Sequence, residues 1–272
     1  MRMITRFALP SIFLIAWAAT SVAQSLPTSQ PDVLFIIIEE IKLGHGSAHT
    51  ATEAGWPAAY GRAKSSFSYL AFESMTGTPQ VWFVSPFDSH AQMAESFKEE
   101  SDNTELSAEL SRLQRADAEH LTGLHSIHAV ARKELSHGAF PDAATQRFWE
   151  VTTLRVRPGG EPAFEAGAKA YGEAAGRAAP DTAYRVYQVA AGMPGPTYLI
   201  FGSHASFAAF DDVMPSGVAI MKAMNPQEQE AMEKFMQVIV DAETNRFSLD
   251  PNMSYVSQEV KEQDPAFWMS KK

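Results

Sequence analysis

The chain has 272 residues, of which 45% are hydrophobic and none is cysteine, and it carries a formal net charge of −10. This length supports a sizeable core, and the missing cysteines exclude disulfide frameworks, thiol catalysis and cysteine-ligated metal or iron–sulfur centres. An acidic balance with no basic stripe argues against nucleic acid and anionic membrane surfaces as partners.

Residues 1–23 read as a secretory leader. Arg2 and Arg6 give a basic start, 7–19 are apolar but too short to span a bilayer, and Ser21 and Ala23 stand at −3 and −1 of a cleavage site. The expected location is therefore periplasmic or secreted, with no membrane contact after cleavage. Residues 24–32 read as a polar tether.

Residues 33–43 (VLFIIIEEIKL) predict a strand buried on both sides, because β-branched and aromatic residues fall on both faces. Gly44 ends it, and a helix over 45–64 follows, with Pro57 predicting a break near Gly55 and Trp56. Two apolar runs, 67–74 and 80–85, flank a Gly/Pro turn and read as a hairpin. Asp88 or Ser89 caps the next helix, which carries Met93 and Phe97. Residues 99–103 read as a charged loop, Leu106, Leu110 and Leu113 as one helical stripe, and 126–132 as a fourth strand.

The order then returns. Residues 147–156 predict a strand, Phe164, Ala168, Tyr171 and Ala175 the buried stripe of a helix, and 183–211 a second hairpin leading into a helix start. That hairpin segment aligns without a gap on 66–94, with Pro196 falling on Pro79. The tripeptide Gly61-Arg62-Ala63 recurs as Gly176-Arg177-Ala178. Asn225-Pro226 opens a further helix with Glu228 three past the cap and Met232, Phe235 or Met236, and Ile239 as its apolar stripe. A last strand is expected near 246–249.

Each half thus reads βα-ββ-α(α)-β, an antiparallel sheet covered by helices on one face. The element order and the internal repeat resemble the dimeric α/β-barrel superfamily of ferredoxin-like proteins, in a fused two-repeat form. That superfamily holds antibiotic-biosynthesis-type monooxygenases, NIPSNAP-like proteins and haem-binding groups such as chlorite dismutases. The resemblance implies an α+β fold in which two tandem repeats, 33–137 and 147–255, face their sheets together as an intramolecular barrel. Residues 138–146 would link them, and 256–272 would form a tail. It rests on element order rather than on a motif, so no catalytic residue carries over.

Polar groups in strands expected to line a barrel point to a ligand site. Placing the Tyr/Glu/Gln face of the second strands inward nominates Glu39, Tyr69, Glu73, Trp82, Glu150, Thr152, Tyr184 and Gln188. His45 and His49 share a helix face near Glu39 and Glu40, and His120, His125 and His128 cluster at a helix-to-strand junction. Both groups read as solvated or turn histidines, without a third ligand at fixed spacing, so no metal is expected. His204 reads as part of a helix cap region, and the haem-binding members hold their axial histidine on a helix of the C-terminal half. No cofactor is expected.

The main reading is an exported monomer that binds a small organic ligand in the barrel lumen or acts as an interaction module. The alternative is a cofactor-independent monooxygenase-like enzyme on a small aromatic substrate. A desolvated general base in a closed cavity would discriminate the two; no catalytic residue can be named from sequence.

Overall fold

A computed structural model of the chain describes residues 25–270; the expected leader lies outside them. Eight antiparallel strands among these residues close into a barrel. They are β1 (Val33–Ile41), β2 (Tyr69–Ser74), β3 (Gln80–Phe87), β4 (Leu121–Ala131), β5 (Phe148–Val156), β6 (Tyr184–Ala191), β7 (Thr197–His204) and β8 (Ile239–Tyr255). Around the barrel the order is β1-β3-β2-β8-β5-β7-β6-β4. β8 runs for 17 residues, far beyond the expected 246–249, because it pairs first with β5 and then with β2. Its exposed polar stretch Asp241–Thr244 hides it from a hydrophobicity reading. β4 in turn pairs with β1 and β6, which closes the barrel.

Helices lie outside. Over β1–β4 sit α1 (Gly46–Glu53), α2 (Gly55–Ala63), α3 (His90–Asp102) and α4 (Thr104–Asp117). Pro57 divides the first helical stretch into two pieces, as expected from its missing N–H. Ser89 caps α3, and the supposed loop at 99–103 is helical up to Asn103, which caps α4. Gly55 is needed where α2 meets α4, since a Cβ there would fall 2.4 Å from Leu113 Cδ2. Over β5–β8 sit α5 (Glu161–Ala178), α6 (Val213–Lys222) and α7 (Pro226–Val238), with a 3₁₀ turn at Phe207–Asp212. The capping box of Asn225 and Glu228 forms at the start of α7. The Met-rich α6 has no counterpart among the expected elements.

The barrel lumen is a filled, apolar core. Ile36, Phe72, Trp82, Ile127, Leu199 and Phe247 enter it from six different strands. Phe72 stacks on Trp149 at 4.8 Å between centroids, and Trp82 meets Phe247 at 5.3 Å. Three connecting segments plug one end. Leu26 comes from the expected tether, Ala143 and Ala144 from the linker, and Val260 and Trp268 from α8 (Gln258–Gln263) and α9 (Pro265–Trp268). Trp268 Nε1 donates to the Ala144 carbonyl at 3.3 Å, and Arg147 pairs with Asp264 at 2.5 Å. The cavity left at this end measures about 70 Å³, less than organic-ligand sites occupy.

This corrects the expected strand faces. Leu70, Phe72, Tyr187 and Val189 point inward, while Tyr69 and Ala71 lie under α2 and α4, and Tyr184 and Val186 under the second helix layer. The lumen is enclosed by strands on every side, so it takes the set richer in aliphatic and large apolar side chains. The helix layers reach solvent at their edges, where phenols and carboxylates find partners. Tyr255 donates to the Ser65 carbonyl at 3.1 Å, and Tyr60 to Glu100 at 2.8 Å. Arg185, on the inward face of β6, donates to the carbonyls of His137, Gly138 and Ala139 at the plugged end.

Candidate functional site: a cleft in the second helix layer

A cavity of about 970 Å³ lies outside the barrel, between the outer face of β5, β7 and β6 and helices α5, α6 and α7. Its existence follows from how the three helices pack. α5 and α7 approach closely at Gly167, where a Cβ would fall 2.4 Å from Phe235 Cβ. Phe164 then stacks between Tyr198 at 3.9 Å and Phe235 at 5.1 Å, and this stack closes one side of the layer. The 3₁₀ turn seats Phe210 on the ends of β5 and β7 and on Arg246 of β8. α6 leans on that turn and on α5 rather than on the sheet, and the space beneath it is the cleft.

One wall is apolar and aromatic, with Phe164, Tyr171, Tyr184 and Phe235, backed by Met221 and Met232. Tyr171 and Tyr184 lie 6.0 Å apart, and burial pushes both phenols up in pKa. The Tyr184 hydroxyl is buried and has no hydrogen-bond partner. The opposite end is polar, with Glu150, Thr152, Ser203 and His204. Glu150 Oε2 accepts from Arg246 Nε at 2.9 Å, and Thr152 shares a 2.9 Å hydrogen bond with Thr244. Arg246 also lies over the Phe210 ring at 4.1 Å, and His204 packs 4.7 Å from the same ring. Desolvation lowers the His204 pKa and Arg246 adds to the shift, while Glu150 opposes it. Burial therefore favours the neutral imidazole, the form that can accept a proton.

The expected site residues scatter when placed on the structure. Glu150, Thr152 and Tyr184 do meet in one cavity, but on the outer face of the sheet. Trp82 is inward and packed in the core. Gln188 accepts from Arg132 at 2.8 Å, and Arg132 also binds Glu165 at 2.7 Å. Tyr69 is sealed among aromatic rings beneath α2. Glu73 faces a 360 Å³ crevice at the barrel end, between the turn after β1 and the β2–β3 hairpin.

The histidines also rearrange. His45 pairs with His120, Nδ1 to Nδ1 at 3.1 Å, rather than with His49. His128 meets Phe35 edge-on outside the barrel while His125 is exposed, so the junction histidines do not converge. The expectation of a solvated His49 is overturned, because it is 1% exposed and holds Glu39 at 2.9 Å. Glu53 and Asp117 are buried beside it, and these four could hold a metal ion. Burial first, then Glu39 and Asp117, raise the Glu53 pKa well above the carboxylate range. Burial and Glu39 raise Asp117 to about 6, against an opposing effect of His49. Sequence reading missed His204 as a site residue, along with Glu53 and Asp117. Spatial convergence from separate elements leaves no spacing signal.

No protein-family model matches the sequence, and no curated protein matches it. Solved structures do. A "putative monooxygenase" from Lactobacillus acidophilus superposes with a TM-score of 0.51 at 8% identity, covering 83% of this chain and 96% of its own. An anthrone oxidase-like protein gives 0.53 at 12% identity, with 82% and 92% covered. A mutant chlorite dismutase from Candidatus Nitrospira defluvii gives 0.51 at 13% identity, with 86% and 96% covered. The likeness is one of fold. The chain shares their ferredoxin-like α/β-barrel architecture, a closed eight-stranded antiparallel barrel with helices outside.

The chlorite dismutase likeness raises haem, and the cleft does not fit it. Among the described lining residues the one histidine is His204 at the end of β7, and the helices contribute none. The acidic groups are Glu150, Asp181 and Asp212, with no lysine or arginine in the lining to meet two propionates.

Proposed function

We propose that the chain is a cofactor-independent oxygenase-type enzyme that holds a flat, partly polar aromatic substrate in the cleft under α5, α6 and α7. The observation that carries this reading is the pairing of a 970 Å³ aromatic-walled cleft with a half-buried imidazole, His204, at its polar end. Stacking surfaces on one side and a proton acceptor on the other suit a planar molecule with an acidic C–H or O–H. His204 takes that proton, and the nearby Glu150 carboxylate stabilises the imidazolium that forms. The resulting carbanion is electron-rich enough to react with dioxygen. For a methylene substrate the balance is CH2 plus O2 giving C=O plus water. The names of the fold neighbours, a monooxygenase and an anthrone oxidase-like protein, support this over the lumen-binding reading. The filled lumen removes the space that the lumen reading required.

The chain is composed of two tandem ferredoxin-like repeats, supported by the orders β4-β1-β3-β2 and β8-β5-β7-β6 within the barrel. It is exported to the periplasm or beyond and acts as a monomer, supported by the leader-like 1–23 and by a barrel closed within one chain. N-terminal mass spectrometry and light scattering check these two points.

The enzymatic proposal is tested with anthrone in an oxygen electrode. One dioxygen should be consumed per anthrone lost, and His204→Gln should slow this by about a hundredfold or more. Anthrone binding without dioxygen uptake would leave a binding protein, and no binding would remove the cleft reading.

A further inference from the structure

We propose that Glu39, His49, Glu53 and Asp117 form a site for one divalent transition-metal ion, on the first half of the barrel and away from the cleft. The four come from three elements, the outer face of β1, one face of α1 and the end of α4. His49 and Glu53 share that face of α1 because they are four residues apart. One ligand atom from each can be chosen so that all four lie within 4.8 Å of one another. His49 Nε2 stands 2.9 Å from Glu39 Oε2 and 3.9 Å from Asp117 Oδ2. Ligands bonded to one ion at about 2.1 Å stand roughly 3.0 Å apart at right angles and about 4.2 Å apart when opposite. The observed spans fall within or beside that range before any ion has drawn the side chains in.

Burial makes the arrangement costly without a cation. The exposures are 7% for Glu39, 1% for His49, 3% for Glu53 and 1% for Asp117. Glu53 Oε1 and both Asp117 oxygens are buried with no hydrogen-bond partner. Three carboxyl groups around one imidazole in a desolvated place can be ionised together only at a cost that a cation would remove. The fold itself does not need polar groups there. Counted from the start of β5 and of α5, the same positions hold Leu154, Phe164 and Ala168, all within one apolar cluster. The second helix layer thus fills this volume with packing, where the first fills it with acids and an imidazole.

The donor set selects the ion. Carboxylates with one imidazole and no thiolate suit Mn²⁺, Fe²⁺ or Zn²⁺. An entry path exists, since His49 also lines the 360 Å³ crevice between the turn after β1 and the β2–β3 hairpin. This inference is independent of any catalysis in the cleft.

The test uses the full chain stripped with a chelator, then given Zn²⁺ or Mn²⁺ alone, with bound metal measured after dialysis and Tm by calorimetry. The expected result is one ion per chain and a Tm rise of about 5–10 °C at a hundredfold excess over Kd. The pair Glu53→Gln/Asp117→Asn should bind no ion, yet its metal-free Tm should equal or exceed that of the unaltered chain, because the repulsion is gone. His45→Ala, at the rim beside His120, should bind as before. The single Glu53→Gln replaces the pair if the latter does not fold. Failure of both ions to bind at one per chain would overturn the proposal. So would metal binding and Tm rise that persist in the Glu53 variants, or that vanish in His45→Ala.

Discussion

The helix layer over β1–β4 closes on its sheet, whereas the layer over β5–β8 stands open, although both cover the same barrel. In the first layer Leu106, Leu110 and Leu113 of α4 drive against α2 at Gly55, and Tyr60 stacks on Tyr255 at 5.4 Å. In the second, α7 presses on α5 at Gly167, and α6 is left to bridge the gap with much of its apolar surface outside. Met214 is 76% exposed there. The same strand order therefore supports two different interiors outside the barrel, a buried charged cluster and an open aromatic cleft. The lumen, filled from eight strands and plugged by three segments, leaves the open space and the buried charges of this molecule to its helix layers.

The largest effect should come from the lumen. Phe72→Ala removes a ring 1% exposed and stacked on Trp149, and should cost about 3–5 kcal/mol in a denaturant titration. Tyr184→Ala at the cleft wall should cost clearly less while weakening anthrone binding, which would sharpen the contrast. Equal costs at the two positions would break it.

Next in size is Gly167→Ala. Its new Cβ meets Phe235 at 2.4 Å, so α7 must shift, and overpacking of this kind costs about 1–3 kcal/mol. Because α5 and α7 frame the cleft, anthrone affinity should fall together with stability. A loss of stability alone would separate the helix contact from the cleft.

The smallest effect is one of pH. The lowered His204 pKa means that dioxygen uptake should fall on the acid side with a midpoint below 6.5. The linked stability contribution has the same sign. The fold favours the neutral imidazole, so the contribution is fully present above the unfolded value and is lost as pH falls through the folded one. An acid limb centred above 6.5 would assign the proton acceptor to another group.

Much of the frame was legible in the sequence. Pro57 marks the break between α1 and α2, and Asn225 with Glu228 marks the start of α7. The recurring hairpins give β2–β3 and β6–β7. Face assignment was not legible, because alternation fixes which residues share a side but not which side meets helices. Phe72 and Tyr69 are both large and both buried, and only their surroundings, the strand-enclosed lumen and the helix layer, separate them. The sites were hidden for a different reason. Asp117 reaches His49 from the far end of α4, and His204 reaches the cleft only because α6 stands off from the sheet. A helix rich in Met and Val between Asp212 and Met224 gave little pattern to read.

The central claim, that ligand chemistry belongs to the outer cleft and not to the barrel lumen, is tested most directly by a crystal structure of the chain soaked with anthrone. The account predicts a planar ligand between Tyr184 and Phe164 with its polar edge toward His204, and a lumen unchanged around Phe72 and Trp149. Ligand density inside the barrel against Trp82 and Phe247, with the cleft empty, would contradict it.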